Sequence, residues 1–158
     1  MLRSMNKIIL PLFAMVVLLA ACSSSKVAVA KKSDVKGNWI LNNVSSSERI
    51  KLTLLNEGSE ACLQGSTWSL PNNGYGSYTI ANSASCTAGE RKIIWSYEKD
   101  GSQPMFQFKK LQEGVKAKNV EEGYRFKIIS ASDNAMVLQS EITNQGHPIY
   151  ITYSFSKI

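Results

Sequence analysis

The sequence predicts an all-β domain of about nine short antiparallel strands, a barrel or a sandwich. Three observations lead there. From Val35 onward, apolar residues recur at every second position, not every third or fourth. Clusters of Pro, Asn, Asp, Gly and Ser cut that alternation into short pieces. No stretch of 10 residues carries a helical apolar stripe. The best helical candidate, residues 114–122, has only Val115, Ala117 and Val120 as apolar members and reads as a loop or irregular strand.

The elements follow in order. WILNNV at 39–44, behind Gly37, is the first expected strand. RIKLTL at 49–54 alternates cleanly and is the second. TWSL at 67–70 stops at PNNG, a strong turn signal, and GSYTI at 76–80 resumes. KIIWSY at 92–97 leads through KDGS, a hairpin signal, to MFQFK at 105–109. YRFKI at 124–128, MVLQSEI at 136–142 and IYITYSF at 149–155 complete the set, with turns at SDN and NQG between the last three. Alternation puts Ile50, Leu52 and Leu54 on one face with Ile93, Trp95, Tyr97, Phe106, Phe108, Tyr124, Phe126 and Ile128. Met136, Leu138, Ile142, Ile149, Ile151, Tyr153 and Phe155 continue that face, while Lys51, Lys92, Gln107, Lys109, Arg125, Lys127, Gln139 and Thr152 point the other way. One-sided burial of this kind suits an antiparallel sheet curled on itself.

The start of the chain is of another character. Sixteen of the first 21 residues are apolar, with Arg3 and Lys7 and no acid. The apolar run from Ile8 to Ala21 has 14 residues, too few to span a bilayer, which needs about 20. A short apolar run behind a basic start is a secretory signal. It ends Leu19-Ala20-Ala21-Cys22, which resembles the lipobox of bacterial lipoproteins. That resemblance implies cleavage after residue 21 and a diacylglycerol on Cys22. Two or more acyl chains anchor stably where one does not. Ser23, not Asp, follows the cysteine. By the sorting rule of Gram-negative lipoproteins, this implies the outer membrane on its periplasmic side, with surface exposure left open. Residues 1–21 are then the signal, 22–34 a lipidated flexible tether and 35–158 the barrel domain. Losing Arg3 and Lys7 lowers the net charge from +6 to +4. One domain of this length rules out a multidomain enzyme, a polytopic membrane protein and a disordered chain.

With Cys22 acylated, Cys62 and Cys86 remain in a compartment that permits disulfides, and they most simply pair. The closed loop of about 25 residues is worth about 3.5 kcal/mol in the chain-entropy description. A metal site is the alternative, but there is no CxxC, and the only histidine is His147. No metal or other cofactor is expected. His147 would also have to serve any Ser–His hydrolase, yet it stands between Gly146 and Pro148 in a turn, and no GxSxG occurs. Asp34, Asp100 and Asp133 lie in tether or turn contexts, and Glu57, Glu60, Glu121 and Glu122 in loops, so no acid–base pair emerges and no enzyme is expected. The basic, aromatic stretch from Phe106 to Lys110, with Arg125 and Lys127, could suit an oligonucleotide-binding barrel. In an exported chain it reads as a solvated barrel exterior, so no nucleic acid partner is expected. The positive charge also favours anionic headgroups near the anchor.

Gly37-Asn38-Trp39 resembles the GxW motif of lipocalins, in which the Trp closes one end of an eight-stranded up-and-down barrel, and this resemblance implies an antiparallel up-and-down β-barrel of about eight to nine strands. The segment CLQGSTWSLPNN at 62–73 resembles lipocalin-like lipoproteins of Gram-negative bacteria, as do GSYTI, CTAGER at 86–91 and Gly123-Tyr124. The resemblance covers residues 35–158. The arginine that packs on the motif Trp in that family has no counterpart, and Lys157 is the nearest cation in the last strand. The resemblance implies a small apolar or amphipathic ligand inside the barrel, with Trp95, Tyr97, Phe106, Phe108, Phe126 and Tyr153 as lining. The other reading is a fully packed barrel acting as a structural or interaction module of the envelope. Alternation puts the same aromatics inside either way.

Mass spectrometry of the mature protein should find Cys22 as the acylated N-terminal residue. Retention of residues 1–21, or a free Cys22 thiol on exported protein, would remove the anchor.

Overall fold

The computed structural model describes residues 29–81 and 85–158. The signal at 1–21, Cys22 and the tether through residue 28 lie outside the described residues. Eight antiparallel strands close into one barrel in the order β1-β2-β3-β4-β5-β6-β7-β8, with β8 returning to β1. They are β1 Gly37–Ser46, β2 Thr67–Leu70, β3 Tyr75–Ile80, β4 Gly89–Asp100, β5 Gln103–Lys110, β6 Tyr124–Ala131, β7 Ala135–Asn144 and β8 His147–Lys157. The up-and-down barrel that the resemblance implies is therefore present.

Turn chemistry explains the hairpins. Gly74 takes φ +83° after Pro71, and its N–H donates to the Pro71 carbonyl at 3.1 Å. Gly101 sits at φ +59° between β4 and β5, and Gln145 and Gly146 at φ 49° and 83° between β7 and β8. Bulges adjust the phase of burial where a strand bends. In β1, the register with β8 shifts between Leu41 and Asn43, so Trp39, Leu41 and Val44 all face inward although the last interval is three residues. In β6, the shift between Ile128 and Ser130 leaves Ile128 buried and Ile129 exposed.

Two expectations need correction. Residues 49–54 are not a strand, which is why there are eight and not nine. The upper half of β1 is taken by β8, and Leu41 exchanges backbone bonds with Gly65 and Ser66 at 2.7 and 2.9 Å. Residues 49–54 pair with neither strand. The alternating Ile50, Leu52 and Leu54 lay a cover over the barrel mouth instead, with Leu54 buried and the other two packed against the core. Alternation here reflects burial without pairing. The C-terminal end of the expected tether also belongs to the folded domain. Ala30 is buried, and Lys32–Val35 forms one helical turn, α1, with Val35 fully buried.

That N-terminal turn closes one end of the barrel. Trp39 is fully buried, and its Nε1 donates to the Val35 carbonyl at 2.8 Å. The Lys157 ammonium lies 5.1 Å from the centre of the Trp39 ring, so lysine fills the place the sequence assigned to the nearest cation. Gly37 makes this possible. Its φ is +134°, and a Cβ there would stand 2.7 Å from Cε of Lys157. The Tyr97 hydroxyl donates to the Ala30 carbonyl at 2.8 Å, and Trp95 Nε1 to the Pro71 carbonyl at 3.1 Å. The sequence-predicted closing motif, Gly37 and Trp39, is thus built into the closed end.

Gly37→Ala should lower stability by about 1–3 kcal/mol, through backbone strain and displacement of Lys157 from Trp39. Gly123→Ala, whose Cβ would meet nothing nearer than 3.7 Å, should change it by under ~0.5 kcal/mol. Urea denaturation measures both, and equal losses would separate Gly37 from this role.

Candidate functional site

The end of the barrel opposite α1 is covered by the connection between β1 and β2, residues 47–66. It holds one helical turn, α2 Glu60–Leu63, and a tight turn in which Leu54 and Gly58 pair as an isolated bridge. Leu55 and Asn56, at φ 52° and 53°, form the tip. Left-handed backbone at two successive non-glycine residues costs about 1–2 kcal/mol each and persists only when neighbours enforce it. Burial of Leu54, Leu55 and Leu63 supplies part of that enforcement.

A disulfide supplies another part. Cys62 and Cys86 are bonded, with their Cα atoms 5.4 Å apart, tying α2 to the connection between β3 and β4. The pairing expected from the cysteine count is therefore present. The third restraint is ionic. Glu57 accepts hydrogen bonds from the Tyr78 hydroxyl at 2.7 Å, from Nη2 of Arg91 at 2.7 Å and from Nζ of Lys110 at 2.6 Å. Arg91 reaches it bidentately through Nε as well, and also holds the Thr87 and Gly89 carbonyls. Lys110 also donates to the Leu55 carbonyl. The lid tip is thereby bonded to β3, β4 and β5 at once.

Electrostatics follow from burial, since the Glu57 side chain is only 7% exposed. Burial pushes its carboxyl up, but the bonds from Arg91, Lys110 and Tyr78 outweigh that and hold it at about 2, against an ordinary 4.5. The Tyr78 phenol is raised by burial and by its bond to Glu57. Tyr124 is raised by burial and by its bond to Glu122, which also accepts from Nδ2 of Asn56.

The barrel lumen is filled. Trp68 stacks on Tyr78 at 4.4 Å and meets Phe108 and Phe155 edge-on at 5.5 and 5.8 Å. Phe108 stacks on Phe126 at 5.9 Å, and Phe126 meets Tyr153 at 5.3 Å. Trp68 comes from β2, Phe108 from β5 and Tyr153 from β8, so the rings bridge the lumen. The six aromatics expected as lining all lie on the inner face. Trp95, Phe106, Phe108, Phe126 and Tyr153 are buried, while Tyr97 is half-buried and turned to the closed end.

Open space lies beside the lumen. The ladder between β6 and β7 begins at Lys127 and Gln139, although β6 starts at Tyr124 and β7 runs to Asn144. Under the lid, where these strands are not paired, is a cavity of about 270 Å³. Leu54, Leu55 and Asn56 roof it, Phe126 and Tyr153 form its inner wall, and Ser140, Glu141 and Ile142 its side. The Ser140 hydroxyl is 3.4 Å from that of Tyr153. Two of the six expected residues, Phe126 and Tyr153, therefore reach this cavity. Two larger clefts, of about 560 and 580 Å³, lie on the wall of β4 and β5 around the connection to β6, and their rims are mixed and charged.

His147 is exposed at the start of β8, in keeping with a turn residue. Among the described residues, no three of His, Cys, Asp or Glu converge as metal ligands. Sequence reasoning missed Glu57 as the lid's centre. It stands 34 residues from Arg91 and 53 from Lys110, and no local pattern marks an acid that will meet both.

Glu57 ties stability to pH. Its carboxyl is held below the unfolded value, so the stabilisation is complete above pH 4.5 and is lost as pH falls toward 2. Its size is on the order of 3 kcal/mol. Glu57→Gln should cost roughly 2–4 kcal/mol at neutral pH and flatten the acid limb. Denaturation at stepped pH measures it, and an unchanged acid limb in the variant would place the effect elsewhere.

No protein-family model matches the chain, and no curated protein matches it. Solved structures do. Bovine odorant binding protein complexed with its natural ligand is similar at 14% identity and a TM-score of 0.42, over 83% of this chain and 76% of that one. The bovine lipocalin allergen Bos d 2 is similar at 12% identity and a TM-score of 0.41, over 80% of this chain and 74% of that one.

Proposed function

We propose that the chain is a non-enzymatic lipoprotein of the bacterial envelope, anchored in the outer membrane through acylated Cys22. In this reading it binds a small apolar or amphipathic molecule. The ligand occupies the cavity under the lid, between β6 and β7, and not the barrel axis. The observation that carries this is the combination of a filled lumen with an amphipathic space beside it, walled by Phe126, Tyr153 and Ile142, roofed by Leu54 and Leu55 and edged by Arg125 and Glu141. At about 270 Å³ the space is just below the usual range for ligand pockets, about 300–1,000 Å³, which selects a small ligand. Ser140, Asn56 and the Tyr153 hydroxyl supply a few polar groups to orient it. The lipobox-like Leu19-Ala20-Ala21-Cys22 supports the anchor.

A second reading, an envelope interaction module with no ligand, is favoured by the same filled lumen. Native mass spectrometry of protein purified from the envelope, with extraction of bound lipid, separates the two. An apolar fluorescent probe should bind wild type, and Ile142→Trp, which fills the cavity, should weaken it by about tenfold or more. Tyr75→Ala, on the exposed outer wall, should leave it unchanged. No co-purified molecule and no probe binding would leave the interaction module.

A further inference from the structure

We infer that the closed end of the barrel docks on an anionic lipid surface through Lys31, Lys32, Lys36, Lys99 and Lys157; the inference rests on the anchored reading above. The first support is where the chain enters. Ala30 is tucked into the closed end beneath Tyr97, so only eight residues separate its position from Cys22. Fully extended, they reach at most about 28 Å. An acylated Cys22 therefore keeps this end near the bilayer, while the lid lies at the opposite end of the strands.

The second support is charge. All five lysines are exposed, and the acids placed at the same end by the chain path are Asp34, Glu98, Asp100 and Asp133. Asp34 accepts the backbone N–H of Lys31 at 2.8 Å. Glu98 is turned to Gln107 and Arg125 along the wall. The end the tether holds to the membrane thus presents five exposed lysines. Lys157 and Lys32 are held there by the Trp39 and Trp95 rings, at 5.1 and 5.5 Å. Val29 and Ile158, both exposed, add apolar surface at the same end. A lysine gains from an anionic leaflet only within about one Debye length, roughly 8 Å, which a short tether allows.

The test uses the mature acylated chain in vesicles of phosphatidylcholine alone or mixed with phosphatidylglycerol, read by hydrogen exchange. Amides of residues 31–36 should slow in the phosphatidylglycerol vesicles only, and those of the lid at 54–58 should not change. A Cys22→Ser chain, without acyl groups, should float with phosphatidylglycerol vesicles about tenfold more than with phosphatidylcholine, and high salt should abolish this. The exposed triple variant Lys31→Glu, Lys36→Glu, Lys99→Glu should lose that preference with its stability unchanged. Equal exchange at both ends, no lipid preference, or full binding by the triple variant would overturn the docking. An unmodified Cys22 on envelope protein would overturn the anchor instead, and the Cys22→Ser flotation reads docking without it.

Discussion

The structure depends on β1 being paired along both edges. Residues Gly37 to Ile40 pair with β2, and residues Trp39 to Ser46 pair with β8, with a bulge at Asn42. That double pairing turns a meander into a closed barrel. It also places Trp39 at one end of the axis, where the Val35 carbonyl, Lys157 and Gly37 fit around it. The segment after β1 pairs with none of the strands and becomes the lid.

Aromatic volume then decides what the barrel can hold. Trp68, Tyr78, Phe108, Phe126 and Tyr153 occupy the lumen ring against ring. Aromatic pairs of this kind add to the energy of burial itself, so emptying the lumen for a ligand would forfeit several of them. Among the described residues, the space that Phe126 and Tyr153 reach lies where the β6–β7 ladder stops short, beneath Leu54 and Leu55. On the ligand-binding reading proposed above, the ligand would sit at this junction of lid and wall.

The lid is long, has little regular structure and carries a strained tip, so it needs restraints from elsewhere. Its buried leucines, the Cys62–Cys86 bond and the bonds of Glu57 to Tyr78, Arg91 and Lys110 are of different physical kinds. A buried carboxylate is unfavourable alone, and three donors reverse the balance. The covalent restraint acts on α2 and the ionic one on the tip, so the two ends of the cover are held independently. Loss of one leaves the other in place.

Alternation and turn residues by themselves determined an antiparallel array of short strands, a barrel or a sandwich, and the GxW resemblance pointed to the barrel. They placed Ile93, Trp95, Phe106, Phe108, Phe126, Ile151 and Tyr153 on the inside, because a pleated strand with one buried face writes period 2 directly into its residues. The GxW start and Lys157 marked the closed end, and the cysteine count marked the Cys62–Cys86 bond. Only the tertiary structure decided that residues 49–54 are a lid, since alternation records which side chains are buried and not whether the backbone finds a partner. Only it decided that the lumen is full, because sequence lists the rings without the distances between them. Glu57 stayed hidden for the same reason. Its partners are remote along the chain, and an ion cluster assembled by three strands and a loop leaves no local pattern to read.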